Sequence, residues 1–178
     1  MTHFNHALIN VLAHEGGFVN RVEDNGGATN YGISLRFLQR LPALAGDVNG
    51  DGHVNVDDIN ALTPATAGDF YHRYFWTHYR LDEIDDEAVA TKLFNFFVNM
   101  RGTTAALIAQ RAANDVLGDR LTLDGVAGSK TLSALNACAP NELLPCLKWR
   151  AWEVYRAIIH ADPAQAVFKN GWRRRAFA

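Results

Sequence analysis

Residues 14–34 read HEGGFVNRVEDNGGATNYGIS. Five of these 21 positions are glycine. A segment so rich in glycine makes neither a stable helix nor a good strand, because each glycine loses more backbone freedom on ordering than any other residue. It marks where an otherwise helical chain stops being helical and fixes a few polar groups in place. Before it, Phe4, Ala7, Leu8, Val11 and Leu12 fall on one face of a first helix, and Glu15 lies just past its end. After it, helical signals follow one another. Ser34 is a plausible N-cap for SLRFLQRL (34–41), and Thr63 and Pro64 open TPATAGDFYHRYFWTHY (63–79). DDEAVATKLFNFFVNM (85–100) turns Val89, Leu93, Phe96, Phe97 and Met100 inward, and Gly118 closes TTAALIAQRAANDVLG (103–118). KTLSALNA and NELLPCLKWRAWEVYRAIIHA complete the set. Alternating strands are scarce; a short hairpin around 18–33 and 119–127 is the most the pattern allows. The fold class expected is mainly α, one compact domain with a C-terminal helical part.

The composition sets bounds. The chain has 178 residues, 48% hydrophobic and 20% charged, with a net charge of −2. That is the profile of an ordinary soluble globular protein, and it lacks the basic stripe of a nucleic-acid binder. No apolar run approaches the ~20 residues of a membrane span. The N-terminus has no basic start and no small-residue cleavage site, so a signal peptide is not expected and synthesis in the cytoplasm is. Cys138 and Cys146 admit a disulfide, but free thiols are the expectation for a chain without a signal peptide. The three arginines of WRRRAF near the C-terminus read as a solvated helix end, or as weak attraction to an anionic cell envelope.

Residues 47–58, DVNGDGHVNVDD, match the twelve-residue loop of an EF-hand. Asp47, Asn49 and Asp51 stand at positions 1, 3 and 5, Gly52 at 6, His53 at 7 through its carbonyl, Asn55 at 9 and Asp58 at 12. A hard cation takes about six to eight oxygens, and this alternation points oxygens inward. The expectation is a structural Ca2+ loop inserted in the helical domain. An Asp/Asn/Gly surface turn without metal is the alternative. The ending VDDINAL resembles dockerin loops, but a dockerin uses a duplicated pair and only one loop is present.

Glu15 beside Phe18 and Tyr31 would be partly desolvated, which raises a carboxyl pKa toward the range of a general acid. Asp24, in a polar glycine-rich turn, would stay ionised, and Thr29 offers a hydroxyl. Two carboxyl groups in contrasting environments plus a hydroxyl that orients water make a glycosidase constellation. Each has a plainer reading: a helix-end glutamate, an Asx turn at Asp24, a structural hydroxyl at Thr29. HEGGF lacks the second histidine of a zincin motif.

These residues also carry a resemblance. HEGGFVNRVEDNGGATNYGIS resembles the N-terminal signature of glycoside hydrolase family 108, bacterial and phage N-acetylmuramidases that include secretion activators. LTPATAGDFYHRYFW and KLFNFFVNMRG are similar to later family segments, in the right order. LTLDGVAGSKTLSALNA resembles the start of a peptidoglycan-binding-like C-terminal part. Nearly the whole chain is covered. The resemblance implies a lysozyme-like fold and cleavage of the MurNAc–GlcNAc β-1,4 bond, with Glu15 matching the catalytic glutamate and Glu15, Asp24 and Thr29 ordered like the triad of phage-type lysozymes. It implies residues 1–118 as the muramidase region and 119–178 as the peptidoglycan-binding-like region. Tyr31 and Asn99 are candidate sugar contacts, set against packing and helix-end bonding. Asn95 stands where the family usually has Asp. Peptidoglycan is the expected partner, reached after release through a holin or an exporter, without stable membrane insertion. A non-catalytic wall-binding or secretion-accessory protein is the alternative.

Overall fold

The computed structural model describes residues 3–14, 28–42 and 44–178, and it divides into a first unit up to Phe75 and a second from Trp76 onward. The described residues are mainly helical. The first unit holds α1 (His3–His14), a hairpin of β1 (Thr29–Asn30) and β2 (Ile33–Ser34), then α2 (Leu35–Leu38), α3 (Val56–Ala61) and α4 (Pro64–Tyr71). The second holds α5 (Glu87–Asn99), α6 (Gly102–Leu117), α7 (Ser129–Ala137), α8 (Pro140–Ala161) and α9 (Lys169–Phe177). No helix among the described residues is long and apolar enough to cross a membrane.

In the first unit Ala7 and Val11 of α1 are buried as the periodicity predicts. Gly68 lets α1 approach α4 closely: a Cβ there would lie 3.1 Å from the Leu8 methyl. Caps set the starts of the later helices. The Ser34 hydroxyl accepts the Phe37 N–H at 3.2 Å, and Thr63 accepts the Thr66 N–H at 3.2 Å with Pro64 at the first helical position. The helix expected to run to residue 79 widens instead at Tyr71 into a π turn, His72–Trp76. Phe37 explains the tolerance of that irregular turn, since its ring meets Phe70, Tyr74 and Phe75 within 6.2 Å. Of the aromatics of α4 and the π turn, Tyr71 and Trp76 are buried, whereas Phe70 and Tyr74 are half-buried and line a cavity of about 250 Å3.

In the second unit α5, α6 and α8 share a core of Leu93, Phe94, Ile108, Ala109, Leu143, Leu147 and Ala151. Alanines on α6 keep the helices close. Pro145 lies inside α8 in its second turn. Met100, expected inside, is the half-buried cap residue of α5. Lys92 is buried, which the apolar pattern did not suggest. Its ammonium donates to the carbonyls of Arg175 and Ala178 at 3.0 and 3.1 Å and lies 5.1 Å from the Phe96 ring centre. Burial, with the nearby charge of Lys148, lowers its pKa to about 8. Cys138 and Cys146 are free thiols, Cys138 donating to the Ala134 carbonyl.

Candidate active site

The best-defined part of the candidate site is the hairpin. Thr29 pairs with Ser34 and Asn30 with Ile33, leaving Tyr31 and Gly32 as a two-residue turn. Both turn residues have positive φ, 49° and 77°. That is the type I′ pattern, whose twist suits antiparallel strands. Glycine takes this conformation freely, while a tyrosine there costs roughly 1–2 kcal/mol. Tertiary bonds hold it. The hydroxyl of buried Tyr71 donates to the Tyr31 carbonyl at 3.0 Å, and the Asn30 side-chain amide donates to the Ile59 carbonyl at 3.1 Å. The Leu35 N–H closes the base on the Ala28 carbonyl at 2.9 Å. Thr29 and Tyr31, both half-buried, therefore sit on backbone that three other segments keep in place. Glu15 and Asp24 lie outside the described residues. Glu15 follows His14, the last residue of α1, in the sequence.

Asn99 is the last residue of α5, in the second unit, and its amide donates to the Asn95 carbonyl at 2.9 Å. One helical turn and two turns earlier stand Asn95 and Thr91. The side-chain Oδ1 of Asn95 and the hydroxyl of Thr91 are buried and have no hydrogen-bond partner among the described residues. An unsatisfied buried polar group costs about 1–3 kcal/mol, so these two atoms call for a partner beyond the described residues. Reading Asn99 alone missed this row. Its signal is the four-residue spacing of Thr91, Asn95 and Asn99 in a mainly apolar helix.

Loop 47–58 is closed by its own amides. Asp47 Oδ1 accepts the Gly50 and Asp51 N–H at 2.8 and 3.1 Å, and its Oδ2 accepts that of Gly52 at 2.8 Å. Asn49 accepts from Asp51, and Asp51 from His53. Asp58 is fully buried. Its Oδ1 accepts the N–H groups of Val48 and Asn49 at 2.7 and 3.2 Å, and its Oδ2 that of Asn55 at 2.8 Å. Burial opposes the charge on Asp58, but the amides of Asn55, Asn49 and Val48 outweigh it and lower the carboxyl pKa. Asn55 caps α3 in the same stroke, accepting the Asp57 N–H at 2.7 Å. Among the described residues no three His, Cys, Asp or Glu side chains converge as a group that could hold a metal ion.

Residues 8–100 match the family described as Glycosyl hydrolase 108. The chain belongs to that family. Residues 104–177 match the family described as Predicted Peptidoglycan domain, so all of α6 but its first two residues falls within that second match. The structure of SagA from Brucella abortus is similar over 97% of this chain and 88% of that one, with a TM-score of 0.72 and 27% identity. No curated protein matches. This family 108 chain is thus a glycoside hydrolase carrying a peptidoglycan-binding-like part. The hairpin with Thr29 and Tyr31, and the α5 row ending at Asn99, both fall within the glycosyl hydrolase match.

Proposed function

We propose that the chain is a lysozyme-type N-acetylmuramidase that cleaves the MurNAc–GlcNAc β-1,4 bond of peptidoglycan. The observation that carries this is the pairing of a glycosyl hydrolase match over residues 8–100 with a peptidoglycan-domain match over 104–177 in one chain. In the proposal Glu15 protonates the glycosidic oxygen as the bond to the anomeric carbon breaks. Asp24, with the Thr29 hydroxyl, positions the attacking water or stabilises the oxocarbenium-like transition state. The fixed hairpin favours a positioning role for Thr29, since orientation is lost if the backbone beneath it drifts by about 1 Å. Tyr31 and Asn99 contact sugar. Carboxyls ~6.5–9.5 Å apart would invert the anomeric centre, and ~5–5.5 Å would retain it. Residues 1–118 would carry cleavage and 119–178 wall contact, after release through a holin or exporter. Fractionating cells with and without a co-expressed holin tests the route: an unchanged cytoplasmic pool removes the holin from it.

Calcium in loop 47–58 belongs to the same proposal. Its support is the spacing of Asp47, Asn49, Asp51, the His53 carbonyl, Asn55 and Asp58, together with Gly52 at φ 86°. A carboxylate has about four lone-pair sites, so an oxygen that accepts an amide retains capacity for a cation. A bound ion would staple the loop. Saturation to 100 times the Kd would add about 2.7 kcal/mol. Melting that ignores both calcium and chelator would leave the amide-closed loop as the whole account.

The deciding test is mass spectrometry of soluble fragments from purified peptidoglycan, wild type beside Glu15→Gln. Fragments ending in reducing MurNAc should appear with wild type and fall by about 10²–10⁴ in rate with Glu15→Gln. Equal rates would remove Glu15 from its role. Fragments from neither, with protein still sedimenting on the wall, would establish a binding or secretion-accessory protein instead.

A further inference from the structure

The charge of this chain is unevenly spread. Residues 148–178 hold seven Lys and Arg against two Asp and Glu, a net of +5, while residues 1–147 hold ten against seventeen, a net of −7. The two acids of the basic stretch are already engaged. Glu153 pairs with Arg150 at 2.8 Å, and the Asp162 carboxylate accepts the Ala164 N–H and the Gln165 side-chain amide at 3.1 and 3.0 Å. Arg156 and Lys169 have no acidic partner among the described residues, and both line one cleft of about 480 Å3. Trp152, Arg156 and His160 enter it at four-residue spacing from a single face of α8, Ile159 adds an apolar wall, and Lys169 comes from α9. The Trp152 ring is braced by Phe177, centroids 6.4 Å apart. Arg173 and Arg174 line a further cleft on α9, also without acidic partners among the described residues.

Unbalanced like charges around a concavity repel one another, and they focus a field that attracts anions. An indole beneath that rim offers a flat apolar surface of the kind that packs against a sugar ring. We infer that the α8–α9 cleft binds a carboxylate-bearing strand of peptidoglycan, a sugar face on Trp152 and the carboxylates of the peptide stem on Arg156 and Lys169. This rests on the reading that peptidoglycan is the substrate, and every lining residue named falls within the peptidoglycan-domain match. Val167 and Phe168 are exposed nearby in the chain and would suit an anionic bilayer. The concave, indole-walled shape favours a polymer strand over a flat membrane surface.

The test is cosedimentation of the full chain with purified sacculi, comparing wild type with R156E/K169E. Both side chains are exposed, so the variant should melt with wild type. Its affinity should fall at least tenfold, wild-type binding should weaken as salt rises, and sacculi whose carboxyls have been amidated with carbodiimide and an amine should bind wild type as poorly as the variant. Equal binding of wild type and variant, or undiminished binding to amidated sacculi, overturns the inference. So does a variant that loses binding only to phosphatidylglycerol vesicles, which would assign the cleft to a bilayer. Failure of wild type to release fragments would sink the cleavage reading and leave this binding comparison standing.

Discussion

Loop 47–58 of the first unit and loop 123–128 of the second are both short and glycine-bearing, and each is bonded at several points by one buried polar side chain of a helix, Thr131 adding a further bond in the second loop by donating to the Val126 carbonyl at 3.0 Å. The two side chains differ in kind. Asp58 is an anion and accepts only, taking three backbone N–H groups. Gln110 is neutral and does both: its two amide hydrogens are shared among Asp124, the Val126 carbonyl and Thr131, which lie 2.7, 3.1 and 3.2 Å from Nε2, and its carbonyl accepts the Gly125 N–H at 3.0 Å. A neutral clamp has no charge of its own to lose to a proton or to share with a cation, although the exposed Asp124 carboxylate that Gln110 bonds does titrate, its pKa lowered chiefly by that bond. A charged one makes its loop answer to both, because the same lone pairs serve amide, proton or metal.

Removing the clamps tests this, and the largest effect is expected at Gln110. Gln110→Leu keeps the volume but strands the buried Gly125 N–H and frees the LDGVAG turn. The expected loss is about 3 kcal/mol in denaturant unfolding, most of it from the stranded buried groups, and it should shrink somewhat as pH falls through the lowered folded pKa of Asp124, whose carboxylate then gives up its charge-assisted bond to Gln110. A loss below half a kcal/mol would show that the turn holds itself. Asp58→Asn comes next, at about 2 kcal/mol, because its amide nitrogen would face the Val48 and Asn49 or Asn55 donors. Here the titrating group is the clamp itself. The folded-state pKa of Asp58 is lowered. Its contribution is therefore complete above the unfolded carboxyl value of about 3.9 and is lost as pH falls through the lower folded value. The gap between wild type and Asp58→Asn should close in that acid window. A gap that stays constant would mean that shape, not charge, is what Asp58 supplies.

The same contrast explains what the sequence made legible. Local chemistry read correctly where the partners are neighbours: Ser34 and Thr63 cap, Pro64 opens α4, and Gly118 closes α6 in the left-handed region at φ 78°. Reading stopped where the partner is distant in sequence. Nothing local says that the hydroxyl of Tyr71 will hold Tyr31 at positive φ, that Lys92 will end on the carbonyls of Arg175 and Ala178, or that Phe37 will brace a π turn. The spacing of loop 47–58 was visible, but the burial of Asp58 and its triple amide bond were not, because they depend on Val48 folding back ten residues. At the candidate site the motif gave Thr29 and Tyr31, and the hairpin adds why their backbone is fixed.

A smaller effect separates the helices that leave the two loops. α3 begins with Asn55, whose side chain accepts the Asp57 N–H. α7 begins with Gly128, which supplies no side-chain cap. Asn55→Ala should cost about 1 kcal/mol. It also removes a proposed calcium ligand, so the loss should grow when calcium is present if the ion binds. The reverse change at the other loop should gain. Gly128 has φ −89° and ψ 179°, an extended conformation open to any residue and suited to an N-cap. A Cβ added there meets only the Val126 methyl at 3.8 Å, an ordinary contact. Gly128→Ser should therefore supply the missing acceptor and reduce the freedom of the unfolded chain, for a gain of about 0.5 kcal/mol. In a chain of this size that is roughly 1–2 °C in Tm. A variant that melts with or below wild type would show that the first N–H groups of α7 are already satisfied without a cap, and that Gln110, through Thr131, is enough to start the helix.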